Sequence, residues 1–397
     1  MNILIICQRL PFPHTTNALS YRVLNSVKYL SKKYMHDSTI VAFKYKDDPI
    51  EYLKEYCAEI ITIDLPTRKG RLMDYIIGVL RRDISLRMGN ILNYSFSWKL
   101  QRKITELLKT KKFDIIFVDN PSMLYYVSNV SLPKILEIWS IPQIHYEGYK
   151  FEKNLIKKIQ RLLLSLAAKS YEKSYKKFNV CITPTEQERD ALNSYLPNLN
   201  ISVIPFGINT DLRSENFEQE FSSLLFLGNM GDPYNQRSIL YFYEKIYPII
   251  KEKIPDIKLY IVGKDPSEKI LKLAIDNSVS ITGYVEDVRP YLARASVVTL
   301  PVHGYGIKTR LLEAMAMGKP VVTSSAGIHG IAVTAGENIF IADNPKEFAR
   351  RVIELLNDEE LRNRIGTNAR KLMEEEYSWE KMTDKLNDVF QKVVNKR

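Results

Sequence analysis

Short β-branched runs alternate with helical stretches along the whole chain, and this alternation narrows the accessible folds more than any other feature. In the first half the predicted strands are NILIIC (2–7), STIVAF (38–43), EIITID (59–64), DIIFV (114–118), KILEI (134–138) and NVCITP (179–184). Helical stretches such as 17–34, 95–110 and 152–178 lie between them. A polar interval, 207–221, has little apolar periodicity and reads as a linker. A second series follows: SLLFLG (223–228), IKLYIVG (257–263), VSITGY (279–284), SVVTLP (296–301) and PVVTS (320–324). Parallel neighbours need a crossover long enough to hold a helix, so this order predicts two doubly wound α/β domains. The first run is apolar throughout, as a strand covered on both faces requires. Ligands of such sheets collect at the carboxyl ends of the strands, where two sheets can face each other across a cleft. The expected domains are 1–206 and 222–376, followed by a terminal helix over 377–397. Helix starts are also expected at Asn344-Pro345 and at Asn357-Asp358-Glu359-Glu360.

Charge divides along the same line. The formal net charge is +11, with 31 basic and 19 acidic residues in 1–206 against 26 and 27 in the remainder. A basic half suits phosphates, anionic lipid or nucleic acid, although solvated lysines also serve solubility. Several classes fall away. The uncharged run Pro320–Gly336 is broken by Gly, Ser and Thr, so it is no transmembrane helix. MNILIICQRLPFP has no basic n-region and too short an apolar stretch for a signal peptide. Cys7, Cys57 and Cys181 give neither a disulfide framework nor metal-ligand spacing. These points predict a reduced, cytoplasmic protein.

HGYGIKTRLLEAMAMGKPVV (303–322) carries the most chemistry. Gly304 and Gly306 bracket a tight turn after a strand, and TRLLEAMAM is a run of strong helix formers stopped by Gly318. A glycine turn feeding a helix start offers free backbone N–H groups that, with the helix dipole, hold phosphate. Lys308 and Arg310 lie at the same end as full charges for a diphosphate, and Glu313 is one turn in, placed for a ribose diol. The bland alternative is an ordinary strand–turn–helix with surface cations.

Further blocks stand in order around it: QRLPFPHTTNALSYR (8–22), SVIPFGINT (202–210), LLFLGNMGDPYN (224–235), LYIVGKDP (259–266), ITGYVEDVRPYLARASVVTLPV (281–302) and YSWEKM (377–382). Together they resemble the retaining glycosyltransferases of GT-B fold, the large group 1 family containing bacterial polysaccharide mannosyl- and glucosyltransferases. That resemblance implies two facing Rossmann-like domains, with the C-terminal helix packing back toward the N-terminal domain. It assigns Glu313 to the donor ribose, as the second glutamate of a Glu-x7-Glu motif. Gly304, Tyr305, Gly306 and Ile307 take the turn at donor sugar and phosphate, and the amides of Leu311 and Leu312 the diphosphate. Tyr284 and Val285 fall where the family seats the base; Gly228 and Asn229 form the opposite lip, with Gly263 in the neighbouring block. Asn17 lies in the family's first loop, where Thr15-Thr16-Asn17-Ala18 replaces two glycines. The first motif glutamate is replaced by Tyr305, and the usual cations after the first strand of the second domain by Asn229 and Met230. Lys308 is then the leading phosphate cation. The family's N-domain histidine falls by register at Trp139, with His145 and Glu147 shortly after as candidates.

No Asp-x-Asp, dinucleotide fingerprint or P-loop occurs, so no metal and no cofactor are expected beyond a UDP-sugar or GDP-sugar donor. Two basic stretches bear on the acceptor. In 152–178, Leu155, Ile159, Leu162, Leu166, Tyr171 and Tyr175 recur at helical spacing with lysines on other faces. Such a helix packs on its own sheet, the commoner outcome, or lies on an anionic membrane. RKGRLMDYIIGVLRRDISLR (68–87) is the better membrane candidate. The expected activity is a metal-independent retaining hexosyltransferase in cell-surface polysaccharide synthesis. Its acceptor would be a glycan or a lipid-linked sugar, reached peripherally on the inner membrane face, and no nucleic acid is expected as partner. A GT-B epimerase and a catalytically silent nucleotide-sugar-binding protein are the alternatives.

Overall fold

The computed structural model describes residues 1–11, 18–44, 49–65, 97–139, 174–211, 220–302 and 307–396, with 155, 158–159, 162 and 172 as isolated positions. It divides into two compact units, Met1–Pro205 with Met382–Arg397, and Phe206–Lys381.

Unit 1 holds a seven-stranded sheet in the order β3-β2-β1-β4-β5-β6-β7, every pairing parallel. The strands are β1 (Asn2–Cys7), β2 (Asp37–Lys44), β3 (Glu59–Asp64), β4 (Ile115–Val118), β5 (Lys134–Glu137), β6 (Val180–Thr183) and β7 (Ile201–Val203). β1 is buried from Ile3 to Cys7, and β4 and β5 along their whole lengths, which is why these runs carry no polar alternation. The terminal helix Trp379–Val394 adds its later residues to this unit. Asp384 accepts hydrogen bonds from Tyr34 Oη at 2.6 Å and Lys33 Nζ at 2.8 Å, and Phe390 lies 5.7 Å from Phe117.

Unit 2 holds a six-stranded parallel sheet, β10-β9-β8-β11-β12-β13. Its strands are β8 (Ser223–Leu227), β9 (Lys258–Val262), β10 (Val279–Gly283), β11 (Val297–Leu300), β12 (Val321–Thr323) and β13 (Phe340–Ile341). Asn344 and Asp358 cap the helices Pro345–Asn357 and Glu359–Leu372 through their side chains, as their positions in the sequence suggest.

Two boundaries differ from expectation. The described residues of the 207–221 interval belong to unit 2: Ile208 is buried and bridges Ser378, and Arg370 donates to the Thr210 carbonyl at 3.0 Å. Gly207 lies so close to Trp379 that a Cβ there would come within 2.4 Å of the indole. These partners lie far away in sequence, so local polarity hid them. The expected break at 377 falls instead at 382, inside the terminal helix. Most of 152–178 and all of 68–87 lie outside the described residues. Where described, Leu155 and Ile159 are exposed at 71% and 50%, while Tyr175 is buried.

Candidate functional site

The order of unit 2 reverses direction between β8 and β11, and a crevice opens at the carboxyl ends of such a pair. Three glycines shape it. Gly228 leaves β8 and donates to Val262 O at 3.1 Å; Gly263 leaves β9 and donates to Gly283 O at 3.1 Å. Gly263 has φ +147°, and a Cβ on it would lie 1.6 Å from the Gly228 carbonyl oxygen. Only glycine lets these two strand ends meet.

The helix Thr309–Ala316 enters beside them, held by Leu311, Leu312, Ala314, Met315 and Ala316, all buried, and ended at Gly318 with φ +68°. Its cap residue, Lys308, makes no side-chain cap, and the N–H groups of Thr309 and Arg310 have no acceptor among the described residues. A helix start in this state attracts an anion.

Arg310 does more than the sequence reading asked of it. Its side chain crosses to the end of β8, where Nη1 donates to Asn235 Oδ1 at 2.6 Å and would sit 2.7 Å from a Cβ on Gly228. Asn235 Nδ2 in turn donates to Asn229 O at 3.0 Å, and Asp232 Oδ1 accepts from the N–H groups of Tyr234 and Asn235. Arg310 Nε is buried without a partner, and no carboxylate among the described residues pairs with the guanidinium. Burial draws its pKa down to about 10 despite Asp232 and Glu313 nearby. Burial and then Arg310 draw Lys308 down to about 8. Glu313 is half-buried and its carboxylate accepts no hydrogen bond among the described residues; burial pushes its carboxyl up, against the pull of Arg310. Two half-buried cations and, among the described residues, an unpaired helix start are thus gathered near the end of β8, where the sequence has Asn229 and Met230 in place of cations. That vacancy in the motif was the signal for Arg310, but its long reach was not visible in sequence.

Of the residues singled out in sequence, Gly228, Asn229 and Gly263 lie at the ends of β8 and β9, and Lys308 and Glu313 lie at the start of the helix, with Ile307 just before it. Leu311 and Leu312 depart from expectation: their side chains are buried and their amides donate to the Lys308 carbonyl at 2.8 and 3.3 Å, because the helix closes its own first turn there, so among the described residues the open amides are those of Thr309 and Arg310. Tyr284, 70% exposed, and Val285 follow β10, two strands away from β8. Gly304, Tyr305, Gly306, Asn17, His145 and Glu147 lie outside the described residues. Among the described residues no group of three His, Cys, Asp or Glu has metal-site geometry, and no helix is long and apolar enough to cross a membrane.

Unit 1 has a reversal of its own between β1 and β4, at Gln8 and Asp119. Trp139 lies beyond β5 with Arg22 Cζ 4.9 Å from its ring, beside the buried Arg22–Glu137 ion pair of 2.7 Å. Asp119 escaped the sequence reading, although a strand followed directly by Asp-Asn, DIIFVDN, was there to be seen.

Two family models match the chain, Glycosyltransferase Family 4 over residues 20–212 and Glycosyl transferases group 1 over residues 222–358. An uncharacterized glycosyltransferase of Haemophilus influenzae is 28% identical over 77% of this chain and 85% of its own length. The capsular polysaccharide biosynthesis glycosyltransferase CapM of Staphylococcus aureus is 26% identical over 48% of this chain and 55% of its own. Sucrose-phosphate synthase from Thermosynechococcus elongatus superposes with a TM-score of 0.72 at 16% identity, over the whole of both chains.

Proposed function

The chain belongs to the GT-B glycosyltransferases, and from that premise we propose that it moves a hexose from a nucleoside-diphosphate sugar to a glycan or lipid-linked acceptor in cell-surface polysaccharide assembly. One observation carries the donor half of this reading. A half-buried guanidinium with its Nε unpartnered and no carboxylate paired to it among the described residues, beside a half-buried lysine and a helix start open among those residues, is unfavourable until an anion arrives. A diphosphate supplies two such anions in line. Glu313, one helical turn further in, is the residue this reading assigns to the ribose hydroxyls. The likeness to a capsular polysaccharide glycosyltransferase supports the pathway.

In the reaction the donor's glycosidic C–O bond breaks and the acceptor oxygen bonds to the anomeric carbon on the same face. The acceptor proton passes to the leaving diphosphate. Lys308, Arg310 and the Thr309 and Arg310 amides balance the charge developing on that diphosphate, so no metal is required. The basic surplus of residues 1–206 suits an acceptor held at the anionic inner face of a membrane.

Thermal shift with UDP, GDP and ADP tests the donor site: a selective shift by UDP or GDP is expected, and none from either refutes it. Donor hydrolysis by E313A and K308A follows, with or without EDTA. Rates equal to the unmutated protein's exclude the assigned residues, and loss with EDTA excludes metal independence. The anomeric configuration of the product, read by NMR, decides retention.

A further inference from the structure

His329 lies outside every block that carries the family resemblance, yet the fold of unit 2 delivers it beside Lys308. β11 and β12 are neighbours with Leu300 beside Thr323, so the chain leaves both strands at one place. After β11 it runs through Pro301 and Val302 toward Lys308; after β12 it makes one 3₁₀ turn, Ser325–Ile328, that ends at His329. That turn is pinned to the end of β11. Thr323 Oγ1 donates to Leu300 O at 2.7 Å and Ser324 Oγ to Val302 O at 2.8 Å. A Cβ on Gly327 would overlap Thr323 Oγ1 and come within 3.2 Å of Val302 Cγ2, so glycine lets the turn close onto both. On the other side the Ser325 N–H and Oγ donate to Asp343 Oδ1 at 2.8 and 2.9 Å. Beyond the turn the Ala332 N–H donates to Oη of the buried Tyr377 at 2.7 Å. His329 is therefore held between two anchors.

Its imidazole is half-buried. Burial, and then Lys308, draw its pKa below the ordinary 6.5, so it is neutral at neutral pH. The other titratable groups on the elements around the turn are occupied: Asp343 by Ser325, and the Tyr377 hydroxyl by Ala332. Arg310, two positions after Lys308, reaches away to Asn235. Among the described residues, the charge that acts on His329 is thus a cation, which opposes its protonation.

An anion bound at Lys308 reverses that sign. Phosphate oxygens there attract a protonated imidazole and offset the ammonium, and both effects favour the charged ring. Its two N–H groups then both donate. The proton comes from solvent, and no bond in the nucleotide forms or breaks. A nucleoside base or a sugar hydroxyl carries no charge with which to do this. We propose that His329 is a further phosphate-binding side chain of unit 2, one that becomes charged only when a nucleoside diphosphate is bound; the inference rests on the donor reading above. Lys308 and Arg310 are cations before the ligand arrives. A conditional third spares the free site their mutual repulsion and adds charge as the diphosphate leaves.

The test follows the histidine Cε1–H groups of the full chain by NMR across pH, with H329Q identifying the His329 signal. Alone, that signal titrates below 6.5. With saturating UDP or GDP its midpoint moves up, and with uridine or guanosine it stays. Calorimetry at pH 7 in two buffers of different ionisation heat counts the protons, and wild type takes up more than H329Q. Lys308, held near 8, is already largely charged there and contributes equally to both proteins. A proton gained on binding makes affinity rise as pH falls. H329Q should therefore bind nucleotide at least about threefold more weakly than wild type near pH 6, and within about twofold near pH 8.5. A midpoint unmoved by bound diphosphate, or moved equally by the nucleoside, overturns the proposal, as does equal proton uptake by H329Q. H329N identifies the signal if H329Q fails to fold. Binding of neither UDP nor GDP by wild type refutes the donor reading itself, and this inference with it; tight nucleotide binding with a silent His329 refutes the inference alone.

Discussion

Replacing Arg310 with methionine separates the burden of a buried cation from its use. Burial brings the guanidinium down to about 10, which corresponds to roughly 3 kcal/mol against the charged form. The 2.6 Å hydrogen bond to Asn235 offsets about 1.5–3 kcal/mol of this, and the contact 5.9 Å from the Phe226 ring about 0.5–1 kcal/mol. Methionine loses both sides of this balance while filling similar space on Phe226. Unliganded R310M should therefore match wild type to within about 1 kcal/mol. With nucleotide the two proteins part. At a hundred times its Kd, a nucleoside diphosphate stabilises wild type by about 2.7 kcal/mol. For a unit of this size that is a rise in Tm of roughly 5–10 °C. Loss of a charge-assisted phosphate contact weakens binding about a hundredfold. The same nucleotide concentration then stabilises R310M by only about 0.4 kcal/mol, near 1 °C. Differential scanning fluorimetry with UDP and GDP reads both numbers. A full wild-type shift in R310M refutes the assignment of Arg310 to the anion, and a collapse of the unliganded Tm refutes the claim that its charge is uncompensated.

Lys308, held near 8, is charged below that pH, so nucleotide affinity measured by calorimetry should fall between pH 7 and pH 9 and lose this dependence in K308M. Its folded pKa lies below the ordinary 10.5, so the unfolded chain binds more protons between the two values. Unliganded stability should then rise with pH across that window in wild type and stay flat in K308M, and parallel curves would discard the burial argument. G263A places a Cβ 1.6 Å from the Gly228 carbonyl oxygen and should lose at least about 3 kcal/mol in urea unfolding; a wild-type midpoint would show that the strand ends need no glycine. Leu155 and Ile159 are exposed, so L155S/I159S should leave unfolding within about 0.5 kcal/mol of wild type while reducing flotation with phosphatidylglycerol vesicles at low salt. Equal flotation would remove this helix from the membrane reading.

Both sheets were largely legible in sequence: eleven strands stand within about a residue of their predicted positions, the central ones because a strand covered on both faces must be an apolar run, the half-buried edge strands β3 and β10 through their β-branched residues. The two that escaped, β7 and β13, are three and two residues long at sheet edges, too short to show a period. Helix caps were equally local: Asn344 and Asp358 declare themselves by residue type and position. What stayed hidden was non-local. Ile208 is one buried residue in a polar stretch, and its partner Ser378 lies 170 positions on. Arg310 reads as another helix-end cation until the fold lays it against Gly228 and Asn235. Asp119 reads as a strand-end polar residue until Arg22 is seen to engage its neighbour instead.

Net charge and site charge point in opposite directions, and the contrast separates what each reports. Residues 1–206 carry the whole positive surplus, yet the reversal of their sheet buries two carboxyls and one guanidinium. The remainder is near neutral, yet the reversal of its sheet gathers Lys308 and Arg310 with, among the described residues, no carboxylate paired to the guanidinium. Surface lysines act over a Debye length and are screened by salt, so the surplus concerns the surfaces the protein meets. A group buried at a strand end acts over a few ångströms, unscreened, on whatever enters the crevice. The surplus therefore bears on the proposed anionic surface near the acceptor, whereas Lys308 and Arg310 bear on the diphosphate proposed for unit 2. Raising salt should accordingly weaken vesicle binding steeply while leaving UDP or GDP affinity much less changed, and a nucleotide affinity that falls in step with flotation would place the donor cations at the surface after all.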